Sequence, residues 1–284
     1  MAPTTIHNIN LTDDQREIFN AITTSRHNFF VTGGAGSGKS YLLHALKYWW
    51  SNVGSRLMRA NGEIFFTATT GVASTVFGGQ TIHSLFGYKF MKEEESIHDV
   101  IKCMPSNVKL LLKKITARNT MLIIDEISML SSKLFQRASD ILSELMYTPK
   151  CHSPKKPFGG IQIICFGDFL QLAPVVKSLD GKGNRKVVIS DFAFSSSAWN
   201  SLNFKYCELA GSIRQQSDSQ FFNFLNQLRL GLLDNFMKSI LRTHFETAES
   251  VENPTILYGK NTDVARENFK QFKLLAKIQI QLNL

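Results

Sequence analysis

His27 to Leu43 reads HNFFVTGGAGSGKSYLL, and the fold is decided there. Asn28 to Val31 is a short apolar run of strand type. Gly33, Gly34, Ala35, Gly36, Ser37 and Gly38 then make a loop of small residues, and Lys39-Ser40 opens a helical segment. The spacing G-x-x-x-x-G-K-S, between a strand and a helix, is that of a phosphate-binding loop. Backbone N–H groups bared by the glycines, with the positive end of the following helix, form a concavity for a triphosphate. In that reading Lys39 reaches the β- and γ-phosphates and the Ser40 hydroxyl ligates Mg²⁺. A glycine-rich turn whose lysine faces water is the plain alternative.

Working outward, a loop of this kind needs a carboxylate partner. Met121 to Ile124 is an apolar run that ends in Asp125-Glu126. Delivered to the carboxyl end of a buried strand, Asp125 holds Mg²⁺ through water and Glu126 orients and deprotonates the attacking water. The competing reading makes both acids caps for the next helix. Ile161 to Phe166 is a further buried strand, followed by GDFLQLAP at 167–174. Gln171, just past that strand, is placed to report on a γ-phosphate; a turn glutamine bonded to local backbone is the alternative. Upstream, Thr12 and Gln15 fit a capping box, a hydroxyl at the N-cap and an amide three residues on. The same Gln15 amide suits the donor–acceptor edge of adenine.

The remaining elements follow from pattern. Tyr41 to Val53 is helical, Ile64 to Ala68 a strand, residues 91–118 helical with a break at Pro105, and Ser132 to Tyr147 a helix. Lys177 to Lys186 reads as a Gly/Lys/Asn loop and Val187 to Ile189 as a strand. The strand-like restart at Phe204 to Glu208 suggests a domain boundary. Pro254 to Tyr258 reads as a short strand and Val264 to Leu275 as a helix. The tail Lys277 to Leu284 alternates strictly, the mark of a half-buried strand. Arg214 is either a solvated surface residue or an arginine finger that crosses a cleft.

Composition sets bounds. The 284 residues fit one large or two modest domains, and 43% hydrophobic content supports a packed core. No apolar run approaches the roughly 18–20 residues a membrane-spanning helix needs. The opening MAPTTIHNINLTDDQ lacks a secretory h-region, so the expected setting is soluble and intracellular, nuclear in a eukaryotic host. Four scattered cysteines without a C-x-x-C pair point away from a disulfide framework or zinc site. The formal net charge is +9, and most of the excess falls within residues 101–190. That block suits a polyanionic partner, or is simply a solvated surface.

Taken together the motifs resemble the Pif-type DNA helicases, superfamily-one motors of the RecD-like class. LTDDQ, GGAGSGKS, TATTGVAS, GGQTIHSLFGY, LIIDEISML, KPFGGIQIICFGDFLQLAPV, FAFSSSAW, IRQQSDSQFFNFLNQLRLG and PTILYGKNTDVARENF carry the resemblance over residues 11–268. Ala173 stands where the family usually has proline. The resemblance implies an α/β, RecA-like phosphate-loop fold with a parallel sheet flanked by helices over residues 1–204. A partial second RecA-like lobe follows over 205–284. It implies that Gln15 contacts adenine, that Lys39, Ser40, Asp125, Glu126 and Gln171 form an ATP and Mg²⁺ site, and that Arg214 contacts the γ-phosphate. Thr70, His83 and Phe158 would lie along single-stranded DNA.

The implied function is ATP-driven 5′-to-3′ movement on single-stranded DNA, with DNA junctions as further substrates, serving repair, recombination and telomere maintenance. The expected state is a monomer. The family's His-x-x-Gln-Gly-type motif and late arginine motif do not occur, so the chain reads as C-terminally incomplete and in need of a missing lobe. A protein that binds ATP and single strands without unwinding is one competing reading, and a phosphate-loop ATPase acting on protein is another.

Overall fold

A computed structural model describes residues 9–54, 63–88, 95–115, 120–147, 154–179, 185–210, 219–232, 234–247 and 256–282. The strands are β1 (Phe29–Thr32), β2 (Ile64–Ala68), β3 (Gln80–Thr81), β4 (Met121–Asp125), β5 (Gln162–Phe166), β6 (Val175–Leu179), β7 (Arg185–Ile189) and β8 (Lys205–Glu208). The first helices are α1 (Asp13–Thr24), α2 (Lys39–Trp49), α3 (Gly71–Val76), α4 (Ile82–Leu85), α5 (Ile97–Cys103) and α6 (Ser106–Ile115). They are followed by α7 (Ser132–Met146), α8 (Ser197–Ser201), α9 (Ser219–Arg229), α10 (Asn235–Thr247) and α11 (Asn261–Leu282).

Six strands form one parallel sheet in the order β3-β2-β4-β5-β1-β8. The residue types explain the arrangement. MLIID and QIICF are buried at every position, as strands covered on both faces by helices must be. Alternate residues feed two cores. Phe30, Leu122, Ile124, Ile163 and Cys165 pack on one face with Phe135, Ile141 and Trp199. Phe29, Val31, Ile123, Ile164 and Phe166 pack on the other with α1 and α2 residues such as Ile18, Phe19, Leu42 and Leu46. This is the expected α/β fold with a parallel sheet flanked by helices.

Several expectations are corrected. The boundary placed at residue 205 cuts through the sheet, because β8 pairs in parallel with β1 (Phe30 opposite Tyr206, Val31 opposite Cys207). The compact unit runs to Leu232, and a second unit spans Leu233–Leu284. The expected 177–186 loop is partly strand, since β6 and β7 form an antiparallel hairpin with Val175 opposite Ile189. In the second unit, Ile256–Tyr258 form no strand, and Pro254 and Thr255 lie outside the described residues. The alternating tail, through Leu282, belongs to the 22-residue helix α11. Eight alternating residues are a weak strand signal, and among the described residues of the second unit there is no strand for them to join. The run before them includes the good helix formers Ala265, Arg266, Glu267, Lys270, Gln271, Lys273, Leu274, Leu275 and Ala276, and it propagates helix at one hydrogen bond per residue.

The segment Pro157–Gly160 before β5 is a tight turn. Phe158 sits at φ 51°, and its ring is fully buried, 5.0 Å from that of Phe135. Gly159 lies at φ +66°, where a Cβ would stand 2.3 Å from Met146 Sδ and 3.0 Å from the Leu142 carbonyl. Substitution Gly159→Ala is therefore expected to cost about 2–4 kcal/mol through left-handed strain plus overpacking. A lowered urea midpoint at unchanged slope is the check.

Candidate nucleotide site

In a parallel sheet all carboxyl ends emerge at one edge, and ligands of open α/β sheets bind there. Three central strands deliver the chemistry to that edge. From β1 comes the phosphate loop, from β4 Asp125-Glu126, and from β5 Gly167-Asp168 and then Gln171. A cleft of about 660 Å³ opens there, lined by the loop residues Ala35 to Ser40 together with Gln15, Glu126 and Gln171.

The loop is built to receive something. A Cβ on Gly33 would stand 2.6 Å from Ser37 Oγ and 2.8 Å from the Leu209 carbonyl, so the backbone turns there only because no side chain intervenes. Lys39 Nζ folds back to donate to the Gly33 and Gly34 carbonyls at 2.6 and 3.0 Å. Burial pushes its ammonium below the usual lysine range, while Asp168, Glu126 and Asp125 pull it back up. Ser37 Oγ is buried and has no hydrogen-bond partner among the described residues. Such an orphan is costly unless a ligand completes it.

Asp125 is buried, and its carboxyl is pushed up to about 6, first by burial and then by the charge of Glu126. The Glu126 N–H donates to Asp125 Oδ1 at 2.9 Å. Glu126 itself is left-handed at φ 55°, ψ 43°, a costly conformation for a side-chain-bearing residue and one concentrated at functional sites. Thr69 braces the pair: its N–H donates to the Asp125 carbonyl at 3.2 Å and its hydroxyl to the Glu126 carbonyl at 2.9 Å.

Gln15 is buried with both ends of its amide engaged. Oε1 accepts from the Thr12 N–H at 3.1 Å, completing the capping box, and Nε2 donates to the Gly38 carbonyl at 3.2 Å. The glutamine thus ties α1 to the phosphate loop while it lines the cleft. Gln171 is exposed, and its Nε2 donates to Asp168 Oδ2 at 3.1 Å.

Two residues escaped the sequence reading. Asp168, 1% exposed, accepts two bonds from Arg229: Nε to Oδ2 at 2.6 Å and Nη2 to Oδ1 at 2.8 Å. An acid after an apolar strand was a signal for Asp168, by the logic that singled out Asp125. Nothing local marks Arg229, 61 residues away.

The nucleic-acid candidates divide. Thr70 caps α3, accepting from the Ala73 N–H at 3.3 Å, and follows β2; His83 follows β3, exposed, with its ring edge-on to Tyr88 at 5.7 Å. Both stand on the carboxyl edge with the cleft. Phe158 does not join them. It precedes β5, so the parallel direction places it at the opposite, amino edge, and its buried ring has no face for a base. Arg214 lies outside the described residues.

The model of the PIF1-like helicase family matches residues 10–240. The chain belongs to the PIF1-like helicase family. It is 35% identical over 256 residues to the ATP-dependent DNA helicase Pif1 of Psychrobacter sp. (strain PRwf-1), covering 87% of this chain and 35% of that protein. The crystal structure of Pif1 helicase from Candida albicans superposes with a TM-score of 0.71 at 30% identity, over 93% of this chain and 54% of that one. The Pif1 helicase from Bacteroides in complex with ADP-AlF3 and ssDNA gives a TM-score of 0.66 at 26% identity, over 93% and 57%. The chain therefore spans about a third to just over half the length of these PIF1-like relatives. The fold is the RecA-like α/β fold that they share. Among the described residues no helix is long and apolar enough to cross a membrane.

Proposed function

We propose that the chain is the nucleotide-binding part of an ATP-dependent DNA helicase that hydrolyses ATP on single-stranded DNA. The observation that carries this reading is the convergence of the phosphate loop, Glu126 and Gln171 on one cleft, with the buried Asp125 within electrostatic reach of Lys39.

The residues fit a nucleoside triphosphate with Mg²⁺: an orphaned Ser37 hydroxyl, a glycine cradle, and a carboxyl group that burial leaves short of a cation. Ser40 and Asp125 would hold the ion, which supplies charge neutralisation to the phosphates. Lys39 exchanges the Gly33 and Gly34 carbonyls for phosphate oxygens, and loop N–H groups bind the rest. Gln15 offers the remaining hydrogen-bonding capacity of its amide to adenine. Glu126 takes the proton of the attacking water, Gln171 turns to the γ-phosphate, and Arg214 serves as an arginine finger. Thr70 and His83 contact the single strand, with movement 5′-to-3′, DNA junctions as substrates, a monomeric state and residues 233–284 as part of a second RecA-like lobe. Roles in repair, recombination and telomere maintenance follow from the same family reading.

The test is ATP turnover with and without single-stranded DNA, followed by strand displacement. DNA is expected to stimulate hydrolysis. With about three phosphate contacts, affinity for a single strand should fall roughly 20-fold between about 50 and 200 mM salt. Stimulation by protein but not by DNA would overturn the reading. A second reading is binding of ATP and single strands without unwinding. It predicts DNA-stimulated turnover with no displaced strand.

A further inference from the structure

No step of the proposed hydrolysis has been assigned to the Asp168–Arg229 pair, yet its surroundings are those of a working element. Helix α9 is the last element of the first compact unit, and Arg229 is its final residue. One turn earlier, Asn226 lies over the phosphate loop: a Cβ on Gly34 would stand 3.4 Å from Asn226 Oδ1. Arg229 also feels the charge of Glu208, at the end of β8, and its own charge reaches Lys39. The Asp168 carboxylate is fully used. Oδ1 accepts from the Leu170 N–H at 3.1 Å and from Arg229 Nη2, and Oδ2 accepts from both Gln171 Nε2 and Arg229 Nε. Burial pushes this carboxyl upward, but the bonds from Arg229, Leu170 and Gln171 hold it below the usual range, so it stays ionised.

We propose that Arg229, through Asp168, is a positioning residue for Gln171, so that the end of α9 sets how the site senses a γ-phosphate. The inference rests on the nucleotide reading above. A planar guanidinium that grips both carboxylate oxygens fixes the plane of Asp168. The shared Oδ2 then fixes where the Gln171 amide waits. Released from Oδ2, the same N–H is the donor that a terminal phosphate oxygen would receive. A lysine at 229 keeps the positive charge beside the buried carboxylate but cannot make the two-pronged grip.

The experiment measures displacement of a fluorescent ADP analogue from the full chain by ATPγS and by ADP. The wild type is expected to prefer ATPγS. Gln171→Ala and Arg229→Lys should each shrink that preference about tenfold, the worth of one hydrogen bond to a charged group. The double variant should lose no more than either single one, since both act through one bond. Arg229→Ala strands a buried charge and risks unfolding, so Arg229→Lys with an unchanged melting temperature is the deciding variant. Full ATPγS preference in Arg229→Lys, or losses that multiply in the double variant, would overturn the positioning role while leaving the nucleotide site standing. Equal wild-type affinity for ATPγS and ADP would remove the sensor itself. Failure of the wild type to bind either nucleotide would bring down the proposed function and this inference together.

Discussion

Replacing Lys39 with alanine is expected to lower kcat/KM for ATP by about 10²–10³, the loss typical of removing one preorganised donor to a developing anion. The geometry argues for an effect on ligand and chemistry rather than on folding. Lys39 Nζ is the group in the loop held by neutral acceptors, the Gly33 and Gly34 carbonyls. A phosphate oxygen outcompetes a carbonyl for an ammonium because the acceptor is charged. Three carboxylates, Asp168, Glu126 and Asp125, act on that ammonium. They draw its pKa upward, while burial, the larger influence, pushes it below the usual lysine range. The α2 helix it opens is anchored by Leu42, Leu43 and Leu46, all fully buried, so the variant should melt close to wild type. Steady-state hydrolysis with and without single-stranded DNA reads the loss, and strand displacement should vanish with it. Turnover within threefold of wild type would dissociate the loop from the chemistry.

What was legible in the sequence is what is local. GAGSGKS and IIDE each write their chemistry within a few consecutive residues, at the end of a strand whose burial the apolar run already announces. The parallel sheet follows from such strands alternating with helical spacing. The misreadings arise where meaning is set by distant partners. KYCEL looks like a new beginning after a polar stretch, yet its ladder partner is β1, about 175 residues earlier in the chain. For PFGG, the resemblance implies that Phe158 lies along single-stranded DNA. Only strand direction reveals that it stands at the far edge, with Phe158 turned inward at φ 51°. KIQIQLNL has the period of a strand, but an unpaired strand leaves its N–H and C=O groups without partners, and the preceding helical run captures it as far as Leu282. Arg229 was invisible for the same reason in reverse, since its partner is brought to it only by the finished fold.

The second large effect is expected from Glu126→Gln: kcat for ATP should fall by about 10²–10⁴, the range for loss of a general base. Nucleotide and DNA affinity should stay within a few-fold. The substitution is close to isosteric, and the backbone bonds that place residue 126 survive it. The Thr69 hydroxyl still donates to its carbonyl, and its N–H still donates to Asp125 Oδ1. The left-handed conformation is the reason to expect a catalytic rather than a packing role. A non-glycine residue at φ 55° costs about 1–2 kcal/mol, and the half-buried Glu126 side chain lines the cleft instead of filling a core. The strain therefore holds a carboxylate over the nucleotide site, where a glycine would turn the same corner without penalty but leave the water without a base. Removing charge beside Asp125 works in the opposite direction for binding. Glu126 is one of the groups that push the Asp125 carboxyl up to about 6, so its neutral replacement leaves Asp125 more readily ionised and no less able to meet a cation. Tight binding with stalled turnover, seen as fluorescent-ATP retention beside lost phosphate release, is the predicted signature. Parallel loss of affinity and rate would instead make Glu126 a binding residue and leave the base to be sought elsewhere.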